Sequence, residues 1–196
     1  LIVYTDDCIF FAKEDRTIDN LLKNLAETYT LEDQGSVHDY LGIRITKDPI
    51  NKSIHMTQTG LIESVLADLN LLGDSKHKDT PSVGILYPDK DGIPRQDSWN
   101  YRSVIGKLNY IAQNTRPDIS FAVHQCARYS SNPTALHELA VKRIGRYLLA
   151  TKDRGLILHP NHDFKLDMYM DADFAGMWHR EYSELRDCAL SRSGYI

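Results

Sequence analysis

Apolar and polar residues form a clear strand pattern at the very start of the chain. Two short runs rich in β-branched and aromatic residues, 1–4 and 8–12, lie on either side of Asp6-Asp7. This pattern predicts a strand, a tight turn and a second strand. We expect the apolar arms to be buried in a core and the two carboxylates to lie at the tip of the hairpin.

Hydrophobic spacing predicts a helix, a second hairpin and another helix in the next segment. Residues 15–29 have apolar positions at helical intervals, and Asp15 is suited to cap their first turn. Residues 43–46 alternate as a strand, Pro49-Ile50-Asn51-Lys52 predicts a turn, and 53–57 form the returning strand. Residues 59–69 then have the apolar side of a short amphipathic helix.

The segment 73–94 interrupts this periodicity. It is polar and rich in Asp, Lys, Pro and Gly, which favours an exposed connector and a domain boundary. Three helices are predicted after it. They cover 98–113 with Ser98 as the cap, 117–131 starting at Pro117, and 134–150 with Thr134 as the cap.

The last of these helices separates its apolar and basic residues. Five apolar residues are expected to face inward: Leu139, Val141, Ile144, Tyr147 and Leu148. Lys142, Arg143 and Arg146 then face elsewhere. Two strands follow, 156–159 and 164–170, and the second leads directly into Asp171-Ala172-Asp173.

Composition indicates a globular protein with an uneven charge distribution. The 196 residues are 42% hydrophobic and 26% charged, with a net charge of −4. Residues 99–160 contain nine basic and three acidic side chains, a net of +6, so the rest of the chain carries −10. A basic middle could contact a phosphate backbone. The alternative is an ordinary solvated helix surface.

The three cysteines and the hydropathy argue against a zinc site, a membrane span and a signal peptide. Cys8, Cys126 and Cys188 are odd in number, far apart and without zinc-site spacing, which favours a reducing compartment. There is no apolar run long enough to cross a bilayer and no signal-peptide layout at the start. Because the chain begins within a predicted strand and ends abruptly, we expect it to be a piece of a longer polypeptide.

Two acidic positions are candidates for metal chemistry. Adjacent carboxylates such as Asp6 and Asp7 repel each other, and Mg²⁺ or Mn²⁺ would offset that repulsion. The alternative is an ordinary solvated Asp-Asp turn. Asp171, at the end of a predicted strand with small residues after it, could likewise hold a metal for phosphodiester cleavage, or could lie in a surface turn.

The order of these features resembles the Pol polyprotein of Ty1/copia-type retrotransposons along essentially the whole chain. Tyr4-Thr5-Asp6-Asp7 is similar to the Tyr-x-Asp-Asp motif of reverse transcriptases, although Val is usual in place of Thr5. Further similar segments follow in family order: Tyr40-Leu41-Gly42-Ile43-Arg44-Ile45, Thr115-Arg116-Pro117-Asp118-Ile119, Ser131-Asn132-Pro133, Val141-Lys142-Arg143-Ile144, Asp171-Ala172-Asp173-Phe174-Ala175-Gly176 and Ser193-Gly194-Tyr195.

The resemblance implies an α+β fold made of parts of larger domains. Residues 1–72 would be the C-terminal part of a reverse-transcriptase palm, built of antiparallel hairpins plus helices, with a primer-grip-like hairpin. Residues 73–97 would be an exposed connector, 98–152 a helical thumb or connection segment, and 153–196 the first strands of a ribonuclease H-like sheet.

The resemblance also implies site residues and partners. Asp6, Asp7 and Asp171 would be catalytic and would bind Mg²⁺ (or Mn²⁺), with Asp6 a firmer ligand than Asp7. Six residues would contact nucleic acid: Tyr4, Leu41, Gly42, Lys142, Arg143 and Arg146. The partners would be an RNA template and DNA primer, an RNA–DNA hybrid, deoxynucleotides and the remainder of the Pol polyprotein, without a membrane. The location would be a cytoplasmic virus-like particle, with the nucleus as the alternative.

Part of each catalytic site is expected outside this sequence. A palm needs a further carboxylate from an upstream strand, and ribonuclease H needs further acids downstream. The stretch 177–190 is also longer than is usual in the family. We therefore expect the isolated fragment neither to polymerise nor to cleave. The alternatives are a relic or non-catalytic nucleic-acid-binding fragment of the same element, or an unrelated metal-binding or scaffold protein.

Overall fold

The computed structural model describes residues 1–73, 76–89, 91–96 and 98–159. The described residues belong to one compact unit. The predictions for strand 164–170, for Asp171 and Asp173, and for the ribonuclease H-like segment beyond 159 therefore lie outside the described residues. None of the helices in the described ranges combines the length and the hydropathy that crossing a membrane requires.

The strands of the described residues form two antiparallel sheets. β1 (Ile2–Tyr4) pairs with β2 (Asp7–Ile9) in a hairpin of its own. The other sheet has the order β3-β4-β5-β6, made of β3 (Asp39–Tyr40), β4 (Ile43–Asp48), β5 (Ser53–Thr57) and β6 (Leu156–Leu158). The predicted strands at 43–46, 53–57 and 156–159 are confirmed.

The partner of β6 is a finding that the sequence did not indicate. β6 was predicted at the start of the segment 153–196, yet it pairs with β5, with Ile54 opposite Leu158. Gly155 permits this return of the chain, because a Cβ at this position would clash with the carbonyl oxygen of Met56. The sheet therefore joins residues about one hundred positions apart.

The helices lie where the hydrophobic spacing predicted them. They are α1 (Asp15–Ala26), α2 (Thr59–Asp68), α3 (Tyr101–Asn114), a 3₁₀ turn (Pro117–Ile119), α4 (Ser120–Ala127) and α5 (Ala135–Ala150). The predicted caps of two helices are wrong. Asn100, not Ser98, caps α3, and its side chain accepts a 3.0 Å hydrogen bond from the Ser103 N–H. Glu14 precedes α1, and Asp15 is its first helical residue.

One apolar core joins α2, α3, α4 and α5. Fully buried residues from each helix meet there, among them Ile62, Leu66, Leu108, Val123 and Leu148. Gly145 lets α5 pack tightly, since a Cβ there would lie 2.6 Å from Leu71 Cδ1. The segment 73–97 thus does not separate two cores, although the predicted palm, thumb and ribonuclease H-like boundaries themselves stay predictions.

The connector packs along α4 and α5. The Leu86 N–H donates to Gln125 Oε1 at 3.1 Å, and the Tyr129 hydroxyl donates to the Leu86 carbonyl oxygen at 2.8 Å. Farther along, Pro94 forms an isolated bridge with Thr134. These contacts leave some connector side chains exposed, such as Val83, while they attach its backbone to the helices.

Two predictions of burial are wrong. Leu139 was expected to face inward from α5, but 61% of it is exposed, because it lines the mouth of a cavity beside connector residues 78–86. The arms of the first hairpin were expected in a core, yet Ile2, Val3 and Tyr4 are exposed. Neither β1 nor β2 pairs with a strand of the larger sheet in the described part of the chain.

Candidate functional site

The acidic hairpin places one carboxylate in its turn and the other at the start of its second strand. Tyr4 pairs with Asp7 across β1 and β2, so Thr5 and Asp6 form the two-residue turn and Asp7 begins the returning strand. Thr5 has φ of +50°, a conformation that a β-branched residue adopts at a cost of about 1–3 kcal/mol. Both carboxylates are exposed, and both therefore remain open to solvent and ligands.

The turn at Leu41-Gly42 is a second tight hairpin close to the first. Tyr40 pairs with Ile43, and the two residues between them have φ of +50° and +72°. Positive φ at both central positions is the conformation of a type I′ turn. A Cβ on Gly42 would meet no described atom within 4 Å, so its backbone lies open to a ligand.

A tyrosine of the helical core holds this turn. The hydroxyl of Tyr110 on α3 donates a 2.7 Å hydrogen bond to the carbonyl oxygen of Leu41. Leu41 has a positive φ, which is unfavourable for a residue other than glycine. The hydrogen bond from Tyr110 helps to keep Leu41 in this conformation. The position of the turn is therefore defined by the helical core as well as by the sheet.

Tyr40, at the end of β3, is near the first hairpin. Desolvation raises the pKa of its hydroxyl, and the nearby Asp7, Cys8 and Tyr4 add to that rise. The hydroxyl oxygen is buried and has no hydrogen-bond partner in the described part of the chain. The structure thus brings Tyr4, Asp7 and the strand leading to Leu41-Gly42 into one neighbourhood.

The basic residues of α5 do not form the free stripe that the sequence suggested. Lys142 Nζ lies 3.4 Å from the Glu138 carboxylate, and Arg143 Nη2 donates to Thr80 Oγ1 at 2.8 Å. Arg146 is half-buried and borders a cavity beneath the connector. Lys142 is thus paired within α5, while Arg143 and Arg146 border the connector. These contacts reduce the area that the three side chains can offer to a nucleic acid.

The Thr-Arg-Pro-Asp-Ile motif forms a buried polar clamp. Arg116 is 2% exposed, and its guanidinium donates to both oxygens of Asp118 at 2.9 and 2.7 Å. It also donates to the carbonyl and hydroxyl oxygens of Thr151 at 2.8 Å, and Tyr147 donates to Asp118 at 2.6 Å. The clamp fastens the 3₁₀ turn to the end of α5. Its hydrogen bonds are internal, so its role is structural.

His137, a histidine without the spacing of a metal ligand, has a structural role at the start of α5. Thr134 precedes α5 as predicted, and its N–H donates to Nδ1 of His137, three residues on, at 3.0 Å. The ring thus takes the place of the Glu or Gln of a capping box. Burial lowers the pKa of His137, while the Tyr87 carbonyl oxygen and Asp89 oppose that shift. The predicted helix start at Thr134 was the sequence feature from which this contact could have been expected.

Carboxylates suited to a hard cation are present as a pair. Among the described residues there is no group of three or more His, Cys, Asp or Glu side chains that could hold a metal ion. Mg²⁺ commonly binds proteins through one or two carboxylates and takes its other ligands from water and substrate phosphates. Asp6 and Asp7 fit that kind of site. Asp171 lies outside the described residues.

Comparisons with known proteins relate the chain to transposon polyproteins. It is 33% identical over 200 residues to the retrovirus-related Pol polyprotein from transposon RE1 of Arabidopsis thaliana, a match that covers 100% of the chain. It is also 33% identical over 183 residues to the corresponding polyprotein from transposon TNT 1-94 of Nicotiana tabacum, over 90% of the chain. The chain spans 13% and 14% of the lengths of these two relatives.

A shorter relative is matched over most of its length. The chain is 31% identical over 176 residues to an uncharacterized mitochondrial protein of Arabidopsis thaliana, which covers 90% of the chain and 72% of that protein. No protein-family model matches the chain. No solved structure matches it either.

Proposed function

The chain belongs to the Pol polyproteins of copia-type retrotransposons, and from this premise we propose that it is a segment of an RNA-directed DNA polymerase. The observation that carries the proposal is the geometry of Tyr4-Thr5-Asp6-Asp7. The motif occupies a two-residue turn between antiparallel strands, with both carboxylates exposed. A site that must place reacting atoms closely benefits from such a short, defined turn.

In this proposal Asp6 and Asp7 hold Mg²⁺ or Mn²⁺, with Asp6 the firmer ligand. A metal held there would supply charge stabilisation to the attacking and leaving oxygens of nucleotidyl transfer. The chain's own contribution is to fix the two carboxylates. Thr5 sets the turn, and the pairing of Tyr4 with Asp7 sets where the second carboxylate begins its strand.

The Leu41-Gly42 turn is proposed to contact the primer. Its backbone is open at Gly42 and is held by Tyr110, so peptide groups can approach a nucleic-acid strand without a side chain between them. Tyr4 is 60% exposed and lies in the same neighbourhood. The proposed ligands are an RNA template with a DNA primer, an RNA–DNA hybrid and deoxynucleotides, within a virus-like particle in the cytoplasm.

The nucleic-acid contacts proposed for α5 are weaker than those of the two hairpins. They come from Lys142, Arg143 and Arg146. Their heads are occupied by Glu138 and Thr80 or face the connector. Asp171 is proposed, on the resemblance, as a ligand of a ribonuclease H metal site. The isolated chain is proposed to be inactive, because the resemblance implies that other parts of the Pol polyprotein supply further catalytic carboxylates.

Binding of Mn²⁺ to the isolated chain tests the metal proposal. Paramagnetic broadening of amide NMR signals is expected to centre on residues 4–8 and to extend to Tyr40. The double variant Asp6→Asn/Asp7→Asn should lose the broadening, whereas Asp19→Asn, an exposed acid on α1, should retain it. Broadening spread equally over the acidic surface, or unchanged in the double variant, would exclude a metal site at this hairpin.

A further inference from the structure

The cavity beneath the connector is a second candidate site. It has a volume of about 310 Å³ and lies between connector residues 78–86 and the helices α4 and α5. Ligand pockets in proteins begin at about this size, roughly 300 Å³. None of the residues that line it belongs to the acidic hairpin or to the Leu41-Gly42 turn. It is therefore separate from the proposed metal site and primer contact, although Arg143 and Arg146 belong to both its lining and the basic side chains of α5.

The walls of the cavity are mainly apolar. Aliphatic side chains line it from both sides: Val83, Ile85, Leu136, Leu139, Ala140 and Ile144. Cys126 adds a thiol whose pKa burial raises to about 12, so the sulfur stays neutral at physiological pH. Leu139, Val83 and Ile85 are exposed at the mouth, which makes apolar area available to an entering group.

The polar side of the cavity is cationic. Lys78, Arg143 and Arg146 line it, and none of the lining residues in the described part of the chain is acidic. Thr80 fixes one end of the Arg143 guanidinium. Its Nε is buried and has no hydrogen-bond partner among the described residues. A buried donor of this kind is stabilised by an anionic acceptor.

We propose that this cavity binds a small amphipathic anion, an alkyl or aryl carboxylate whose apolar body fills the cavity and whose carboxylate lies against Arg143. The combination of apolar walls and a fixed arginine distinguishes this ligand from a nucleic-acid backbone. A phosphate chain would leave the aliphatic walls uncovered, while an uncharged hydrocarbon would leave the Arg143 Nε unpaired. The cavity has room for a single small molecule, so the proposed ligand is a soluble one rather than a polymer.

Titration of the full chain with decanoate, followed by amide NMR, tests the proposal. Decanoate is expected to give saturable shifts confined to the lining, including Gln125, Ala140 and the Arg143 side-chain Nε–H. Decyltrimethylammonium, with the same tail and the opposite charge, should not saturate the site. Arg143→Gln should weaken decanoate binding about tenfold or more, and Arg102→Gln, on the exposed side of α3, should leave it unchanged.

A second variant tests the cavity independently, in case Arg143→Gln does not fold. Ala140→Leu adds volume at the cavity wall without changing charge and is expected to abolish binding. Equal binding of the anion and the cation would overturn the proposal, as would binding unaffected by both variants or the absence of shifts in the lining. Shifts of the Arg143 Nε–H by primed duplex RNA–DNA but not by decanoate would also overturn it and would assign Arg143 to nucleic acid.

Discussion

The Tyr110 hydroxyl lies 2.7 Å from the carbonyl oxygen of Leu41, and this hydrogen bond fastens the turn between β3 and β4 to the helical core. The two residues are 69 positions apart in sequence. Through this contact the helices help to define where an open turn lies beside the acidic hairpin. The proposed primer contact therefore depends on a residue outside the sheet.

Replacement of Tyr110 by Phe is expected to loosen the Leu41-Gly42 turn. The free energy of unfolding should fall by about 0.5–1.5 kcal/mol, because one hydrogen bond to a strained turn is lost. Hydrogen exchange at Gly42 and Ile43 should accelerate, while exchange in the middle of α3 should not. Tyr29→Phe, at an exposed tyrosine, is the matched control. Unchanged exchange in the turn would show that Tyr110 does not hold it.

Gly42→Ala should destabilise the protein although the site is spacious. A Cβ would meet no described atom within 4 Å, so the cost arises from φ of +72° and should be about 1–2 kcal/mol. Gly106, within α3, also has open space but helical backbone, and Gly106→Ala should stabilise the protein by about 0.5–1 kcal/mol. Urea unfolding of both variants measures the difference. Effects of equal sign would contradict the backbone explanation.

Loss of the Arg116 guanidinium should be among the most harmful single changes. Arg116→Met leaves Asp118 and the Thr151 carbonyl oxygen without their donor, and the cost should be about 3 kcal/mol, since Asp118 is itself partly exposed. Arg102→Met removes an exposed arginine with a hydrogen bond to the Ser130 carbonyl oxygen and should cost less than about 1 kcal/mol. A comparable loss in both variants would mean that the clamp contributes little.

Asp118 and His137 predict different pH windows for stability. Burial alone would raise the pKa of Asp118, but hydrogen bonds from Arg116 and Tyr147 hold it below the usual 3.8. The stability from Asp118 is present above that value and is lost as pH falls through the lowered pKa. Acid sensitivity above pH 4 must therefore come from another group.

His137 is one such group, and it acts in the window below pH 6.5. Burial holds its pKa below 6.5, so the unfolded chain binds a proton more readily and stability falls as pH decreases from 6.5 towards the folded pKa. Protonation would also remove the acceptor for the Thr134 N–H and place a cation at the start of α5. His137→Gln, which keeps an acceptor, should flatten the curve of unfolding free energy against pH in the window below 6.5. His38→Gln, at an exposed histidine, should not.

Local patterns in the sequence predicted most of the elements of the fold. The hairpin 43–57 follows from alternation around a turn, and the structure adds the reason the turn is stable. Asp48 accepts hydrogen bonds from the N–H groups of Ile50 and Asn51 at 2.9 and 3.0 Å. The three helices after the connector follow from spacing and from Pro117 and Thr134. Where the signal is local, periodicity and turn chemistry were sufficient.

Long-range relationships could not be predicted in this way. The pairing of β5 with β6 depends on where the chain returns, which no local pattern records. Leu139 has the spacing of a core residue but borders an open cavity, because periodicity identifies a face of a helix and not what covers it. The exposed arms of the first hairpin have the same explanation, because the apolar pattern predicts a strand but not what packs against it. The acidic pair itself was predicted, whereas its proximity to Tyr40 required the structure.

RNA-templated primer extension by the Pol polyprotein that contains this chain tests the central claim most directly. With a primed RNA template, deoxynucleotides and Mg²⁺, we predict extension that Asp6→Asn reduces by at least about 10²-fold while primer binding is retained, because the carboxylate positions the reacting groups and contributes little to affinity. Asp19→Asn should extend primers at the original rate. Full activity of the Asp6→Asn polyprotein would contradict the assignment of this hairpin as the polymerase site.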